Sequence, residues 1–159
     1  MQAHEQIAAA LQAANEAGRP ALVPFITAGY PKPDEFVDTL KAVTAVGDVV
    51  EIGIPFSDPV MDGPVIQQAS QAALEGGVTP TSILDEVPSL DVDIPLAVMT
   101  YYNLVHHPGP TRFAAQLKRA GISATILPDL PLEESGPWCD AADAEGIETI
   151  MLAAPTARA

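Results

Sequence analysis

Apolar residues fall along this chain in two arrangements that alternate with each other. The first is the short continuous run: Ala21–Ile26, Val49–Ile54, Ile94–Tyr101, Ile122–Leu127 and Thr149–Ala153. Runs of this length, with no alternation of polar and apolar positions, predict strands buried on both faces, as in a parallel sheet. The second is recurrence every three or four positions, which predicts helices. One helix is expected over about 2–18, with Ile7, Leu11 and Ala14 on a face and Gly18 ending it. Another opens at Pro33-Asp34, carries Phe36, Val37, Leu40 and Val43 on one side, and is followed by Gly47. A third is expected near Val65–Leu74, stopping at Gly76-Gly77. Thr79-Pro80, an N-cap followed by proline at the first position, opens a brief one that ends before Pro88. Two more follow, from Thr111 to Gly121 with Phe113, Ala114 and Leu117 facing inward, and over Trp138–Ala144 before Gly146. Tyr102–Pro110 and Pro128–Gly136 read as loops.

Strand and helix in strict alternation fit a doubly wound open sheet or a (β/α) barrel. No Gly-x-Gly-x-x-Gly and no phosphate-loop Gly-Lys-Ser/Thr motif follows any strand, which removes support for the nucleotide-binding open sheets. Loops that follow helices are short and end in Gly. Loops that follow strands hold the polar groups: Thr27, Asp58, Asp62, Tyr101, Asn103, Asp129 and Glu133. Gathering of functional groups at the C-terminal strand ends is the barrel pattern. A complete barrel has eight strands and rarely fewer than about 200 residues. The expectation for residues 1–159 is therefore a single, incomplete (β/α) barrel of about five units.

Charge narrows the partners. With 21 acidic against 7 basic residues, the formal net charge is −14, which argues against nucleic acid or an anionic membrane as a ligand. So acidic a surface is of the kind that keeps proteins soluble in a salt-adapted cytoplasm. Cys139 is the sole cysteine, so neither an intrachain disulfide nor a cysteine metal site is expected. There is no apolar run of membrane-spanning length, and Met-Gln-Ala-His-Glu-Gln does not read as a leader; a cytoplasmic protein is expected.

Candidate chemistry centres on Val49–Pro64. Glu51 interrupts an apolar strand, where an unpaired carboxylate is costly to bury. Asp58 and Asp62 follow in a loop rich in Pro and Gly. Two carboxylates near one strand end can divide acid and base work. Asp62-Gly-Pro also fits an Asx-turn or helix N-cap, and Asp58-Pro a turn opening. Tyr101 and Asn103 fit either packing or a pocket wall. Asp129 fits an ion pair, a cap on the next helix, or a ligand contact. His106 and His107 have no carboxylate at metal-ligand spacing, so no metal is expected. Asp85, Glu86, Asp91 and Asp93 read as solvated surface.

Four motifs then carry a family resemblance: Pro24–Pro31 (PFITAGYP), Glu51–Gln67 (EIGIPFSDPVMDGPVIQ), Met99–Val105 (MTYYNLV) and Leu127–Glu134 (LPDLPLEE). In order and spacing they resemble the tryptophan synthase alpha chain, a (β/α)8 TIM barrel, over its first five strands or so. The resemblance implies a lyase of tryptophan biosynthesis that cleaves indole-3-glycerol phosphate to indole and glyceraldehyde 3-phosphate without a cofactor. It implies Glu51 as general acid/base, Asp62 as the carboxylate that holds the indole N–H, and Phe25, Tyr101 and Leu152 as packing around the ring. Ser57, Asp58, Pro59 and Asn103 fall where the family meets its beta chain, in an alpha2-beta2 type complex. The family's glycine-rich phosphate loops, and a tyrosine after strand six, belong to later strands outside this sequence. Two other readings stand beside this one. A non-catalytic remnant would keep the beta-chain-facing loops without turnover. Another phosphate-handling barrel, such as indole-glycerol-phosphate synthase, is opposed by the loop motif and by the lack of a lysine at the first strand ends.

Overall fold

The computed structural model describes residues 5–90 and 92–153, so the residues expected at the very start of the first helix, Asp91, and the last six positions lie outside the described part. Helix α1 spans Gln6–Glu16 and strand β1 Phe25–Thr27; α2 (Phe36–Thr44), β2 (Val50–Gly53), α3 (Pro64–Glu75) and α4 (Pro80–Glu86) follow. Then come β3 (Leu96–Met99), α5 (Tyr102–His106), α6 (Pro110–Arg119), β4 (Ala124–Ile126), α7 (Gly136–Glu145) and β5 (Glu148–Ile150).

The five strands form one sheet in the order β1-β2-β3-β4-β5, every neighbouring pair parallel. A doubly wound sheet must reverse its strand order somewhere to put helices on both faces. Here each strand pairs with its successor and no reversal occurs, so the sheet is an incomplete α/β barrel wall. The strands are shorter than their apolar runs. Leu22 and Val23, 50% and 44% exposed, precede β1 rather than belonging to it. At the far side β5 begins one residue earlier than expected, at Glu148, and stops at Ile150.

Local chemistry sets the helices. Proline occupies the first turn of α3, α4, α6 and α7, where its missing N–H has no partner to lose. Thr79 and Ser82 form a reciprocal capping box at α4, each side chain accepting from the other's backbone N–H. Gly146, in the left-handed region at φ 77°, ends α7 and lets Ile147 turn back towards β5.

The two faces of the sheet differ. Ile52 and Val98 face the helices and join Phe36, Leu40, Phe113, Leu117 and Trp138 in the main core. Trp138 is fully buried with its ring 6.1 Å from that of Phe113. The opposite face carries a smaller cluster of Ile7, Val49, Ala97 and Ala124, with α1 laid over the N-terminal strand ends. A salt bridge fixes the connection into β1: Arg19 donates to both carboxylate oxygens of Asp48 at 2.6 and 2.8 Å, and Leu22 N–H donates to the same group at 2.8 Å. Those hydrogen bonds hold the Asp48 carboxyl well below the usual carboxylate range.

Candidate functional site

Strand register places the first candidate. Phe25, Glu51, Ala97, Ala124 and Glu148 lie side by side as one row across all five strands. Residues two apart point to one face of a strand, so the row shares its face with Val49 and with the α1 cluster. Glu51 is half-buried there, and its side chain has no hydrogen-bond partner among the described residues. Burial, and secondly the charge of Asp62, push its carboxyl above the ordinary 4.5. A carboxyl group raised above its ordinary value keeps its proton over more of the pH range and can serve as acid as well as base, which an acid/base catalyst requires.

Gly53 ends β2 next to Phe25. A Cβ on Gly53 would fall 2.5 Å from Phe25 Cζ, so the missing side chain is what lets the aromatic ring lie beside the strand end. Phe25 is itself half-buried, with an apolar surface towards the Glu51 row. The family resemblance marks Phe25 as a ring contact but gives Gly53 no such role; the visible signal is only a glycine inside an apolar strand, which reads as close approach of another group.

The loop after β2 brings Asp62 to the same mouth. Its carboxylate does not cap α3: the N-cap residue is Gly63, and that helix start has no side-chain cap. Instead Asp62 Oδ2 accepts a hydrogen bond from the Tyr101 hydroxyl at 3.1 Å, and the hydroxyl accepts in turn from Met61 N–H at 2.9 Å. Gln67 Nε2 donates to the Asp62 carbonyl oxygen at 2.8 Å, closing the loop onto α3. Tyr101 is 2% exposed and its ring stacks on Phe56 at 5.1 Å. Burial, above all, raises its phenol, and Asp62 adds to the effect. Phe56 was absent from the sequence candidates, since one aromatic residue in a turn-rich loop carries no period.

Beyond β3 the structure departs from the expected loop. Residues 102–106 form α5, because Tyr102 N–H at its first turn donates to both oxygens of Asp129 at 2.9 and 3.1 Å. Asp129 thus caps a helix, as one of its three readings held, but the helix before it rather than the next one. Carboxylate at a helix N-terminus is favoured by the free N–H groups and the helix dipole. Asn103 lies exposed on α5. Ser57 and Asp58 are exposed on the loop after β2, joined by a 2.6 Å hydrogen bond from the serine hydroxyl, and Pro59 is half-buried beside them. Val60 and Met61 expose 79% and 53% of their surface there. Leu152 follows the edge strand β5 and is 56% exposed, apart from the aromatic pair.

The structure therefore brings together Phe25, Glu51, Asp62 and Tyr101, and leaves Leu152 at the far edge. A cavity of about 490 Å³ between α4 and α6, lined by Leu84, Leu104, Arg112 and Phe113, lies away from these residues and holds no carboxylate pair. Glu51 lies instead on the α1 side of the sheet, and Asp62 in the loop after β2. Among the described residues no cluster of three or more His, Cys, Asp or Glu side chains could hold a metal ion, and no helix is long and apolar enough to cross a membrane.

Comparison with known proteins agrees with the fold. The profile of the family described as "Tryptophan synthase alpha chain" matches residues 11–159. Among curated relatives, the tryptophan synthase alpha chain of Haloferax volcanii is 43% identical over 144 residues, covering 87% of this chain and 52% of its own. That of Streptomyces coelicolor is also 43% identical, over 93% of this chain and 56% of its own. Among solved structures, tryptophan synthase subunit alpha of Legionella pneumophila superposes with a TM-score of 0.88 at 36% identity, over 95% of this chain and 59% of that one. A chain of the Pyrococcus furiosus tryptophan synthase complex gives 0.82 at 34% identity, over 87% and 58%. The chain spans about half the length of the curated relatives it matches.

Proposed function

Because the chain belongs to the tryptophan synthase alpha chain family, we propose that its uncovered strand ends carry the retro-aldol cleavage of indole-3-glycerol phosphate to indole and glyceraldehyde 3-phosphate, a lyase step of tryptophan biosynthesis. The observation that carries the reading is Glu51: a half-buried, unpartnered carboxyl held above its ordinary value, with Asp62 near enough to add to that effect.

The reaction breaks one carbon–carbon bond. A proton is delivered to indole C3, the bond from C3 to the glycerol carbon breaks, and the hydroxyl on that carbon loses its proton as it becomes the aldehyde. The net change is one proton moved from oxygen to carbon, so one carboxyl group that gives and then takes a proton serves both ends, and no cofactor is needed. Glu51 fills that role. Protonation at C3 leaves positive charge on the ring nitrogen, and a fixed carboxylate there lowers the barrier. Asp62 fills this second role, accepting the ring N–H. Phe25 and Tyr101 supply the flat apolar walls an indole ring prefers. The described part acts as a single partial barrel, in a cytoplasmic setting.

The exposed Ser57-Asp58-Pro59 turn, with Val60 and Met61 after it and Asn103 across the mouth, is proposed to face a tryptophan synthase beta chain. Apolar side chains exposed on a polar loop support such a contact. The test is indole release from indole-3-glycerol phosphate by the purified chain, with and without beta chain. Release in either condition that disappears in Glu51→Gln supports the reading; a folded chain that releases none in both conditions overturns it in favour of a non-catalytic remnant.

A further inference from the structure

Tyr101 carries a hydroxyl group that ring packing alone does not use. That hydroxyl has one proton to donate, and it goes to Asp62 Oδ2 at 3.1 Å; its oxygen accepts Met61 N–H at 2.9 Å. Two consecutive loop residues are thereby tied to one phenol. The phenol is itself well anchored, since Tyr101 is 2% exposed, stacks on Phe56 at 5.1 Å, and leads directly into α5, whose first N–H is held by Asp129. The loop is also tied to α3 through the Asp62 carbonyl, which accepts from Gln67 Nε2 at 2.8 Å, but the Asp62 carboxylate has no other hydrogen-bond partner among the described residues. Val60 and Met61 are exposed, and Gly63 follows with no side chain. Asp62 Oδ1 has no hydrogen-bond partner among the described residues, so one carboxylate oxygen is committed to Tyr101 and the other is free to accept an N–H from outside.

We infer that Tyr101 is a positioning residue for Asp62: its hydroxyl, independently of its ring, sets which oxygen of that carboxylate faces the bound ring. The consequence for turnover rests on the retro-aldol reading above; the contact itself does not. A phenylalanine would pack against indole equally well, so the hydroxyl can be tested apart from the wall. Asp62 and Asp129 are the acidic groups whose charges act on Tyr101, and Tyr101→Phe leaves both carboxylates in the chain.

The experiment uses the whole chain with ¹³C-labelled aspartate, comparing the parent with Tyr101→Phe. Losing the bond should move the Asp62 side-chain ¹³C signal, read at pH 7, away from its position in the parent. Indole affinity, measured by calorimetry, should weaken about five-fold, and the same change made in an Asp62→Asn background should have no further effect. An unmoved Asp62 signal, or equal weakening in both backgrounds, would overturn the inference and leave Tyr101 as pocket wall. If Tyr101→Phe does not fold, Asp62→Asn reads the same bond from its other side. With ¹³C-labelled tyrosine, the Tyr101 phenol should then titrate lower than in the parent, and an unchanged midpoint would refute the link. A parent chain that binds no indole counts against the proposed function, while the Asp62 ¹³C signal still decides the role of Tyr101.

Discussion

Glu51 and Glu148 occupy the same row of the same sheet, both half-buried, on the same face, with Ala97 and Ala124 between them. Their surroundings separate them. Glu148 accepts a hydrogen bond from Ile7 N–H at 2.9 Å, at the free N-terminus of α1, while the neighbouring Ser123 hydroxyl donates to Gln6 at 2.7 Å. Its carboxylate works as a clasp that holds a helix across the N-terminal strand ends, where helix N–H groups and dipole favour negative charge. Glu51 has no such donor; it has burial and a second carboxylate instead. A carboxylate on this face becomes structural or chemical according to whether its charge is matched.

The contrast can be broken most sharply at Glu51. Glu51→Gln removes the proton carrier but keeps shape, and should lower indole release by about 10²- to 10⁴-fold, measured as turnover per folded chain. Glu148→Gln should leave that turnover near the parent value, and its effect should appear in stability. Next in size is Gly53→Ala, whose Cβ would meet the Phe25 ring at 2.5 Å. Displacing that ring should cost about 1–3 kcal/mol in denaturant unfolding and weaken indole binding as well. Glu148→Ala should cost about 1–2 kcal/mol by orphaning the start of α1, with faster amide exchange at Ile7 as the local sign. The smallest effect is Asp129→Ala, about 1 kcal/mol, with fraying confined to α5.

The pH dependence of stability separates the two glutamates again. A carboxyl held above its ordinary value is harder to ionise in the folded chain than in the unfolded one. Stability that Glu51 allows at low pH is therefore lost as pH rises from the ordinary 4.5 through its raised value. Glu51→Gln never ionises. It should melt at a higher temperature than the parent at pH 7, with the difference closing below the ordinary value. Equal melting temperatures at both pH values would show that Glu51 is matched by a partner after all.

Much of this could be read from the chain, and the remainder had a common cause. Glu51 stood out because a lone carboxylate in Val-Val-Glu-Ile-Gly-Ile contradicts burial, and that contradiction is local. The five strands were legible from continuous apolar runs, and their parallel pairing in sequence order bears out the incomplete barrel. Helix α5 was not legible, because the group that starts it, Asp129, lies 27 residues further along. Glu148 was left outside the predicted fifth strand, and its partner Ile7 is 141 residues away. Asp62 stayed divided between cap and site because Asp-Gly-Pro suits both; only the Tyr101 hydroxyl, 39 residues distant, resolves the contact it makes. Periodicity and turn chemistry act over a few residues, whereas caps and carboxylate partners are supplied by whatever the sheet brings alongside.

The most direct test of the central claim is the titration of Glu51 itself, followed by the side-chain ¹³C signal of glutamate in the folded chain and in Asp62→Asn. A midpoint above 4.5 is expected in the parent, moved downward but not back to the ordinary value in Asp62→Asn, since burial is the larger cause and the Asp62 charge the smaller. A parent midpoint at or below 4.5, or one that ignores the loss of Asp62, would contradict it.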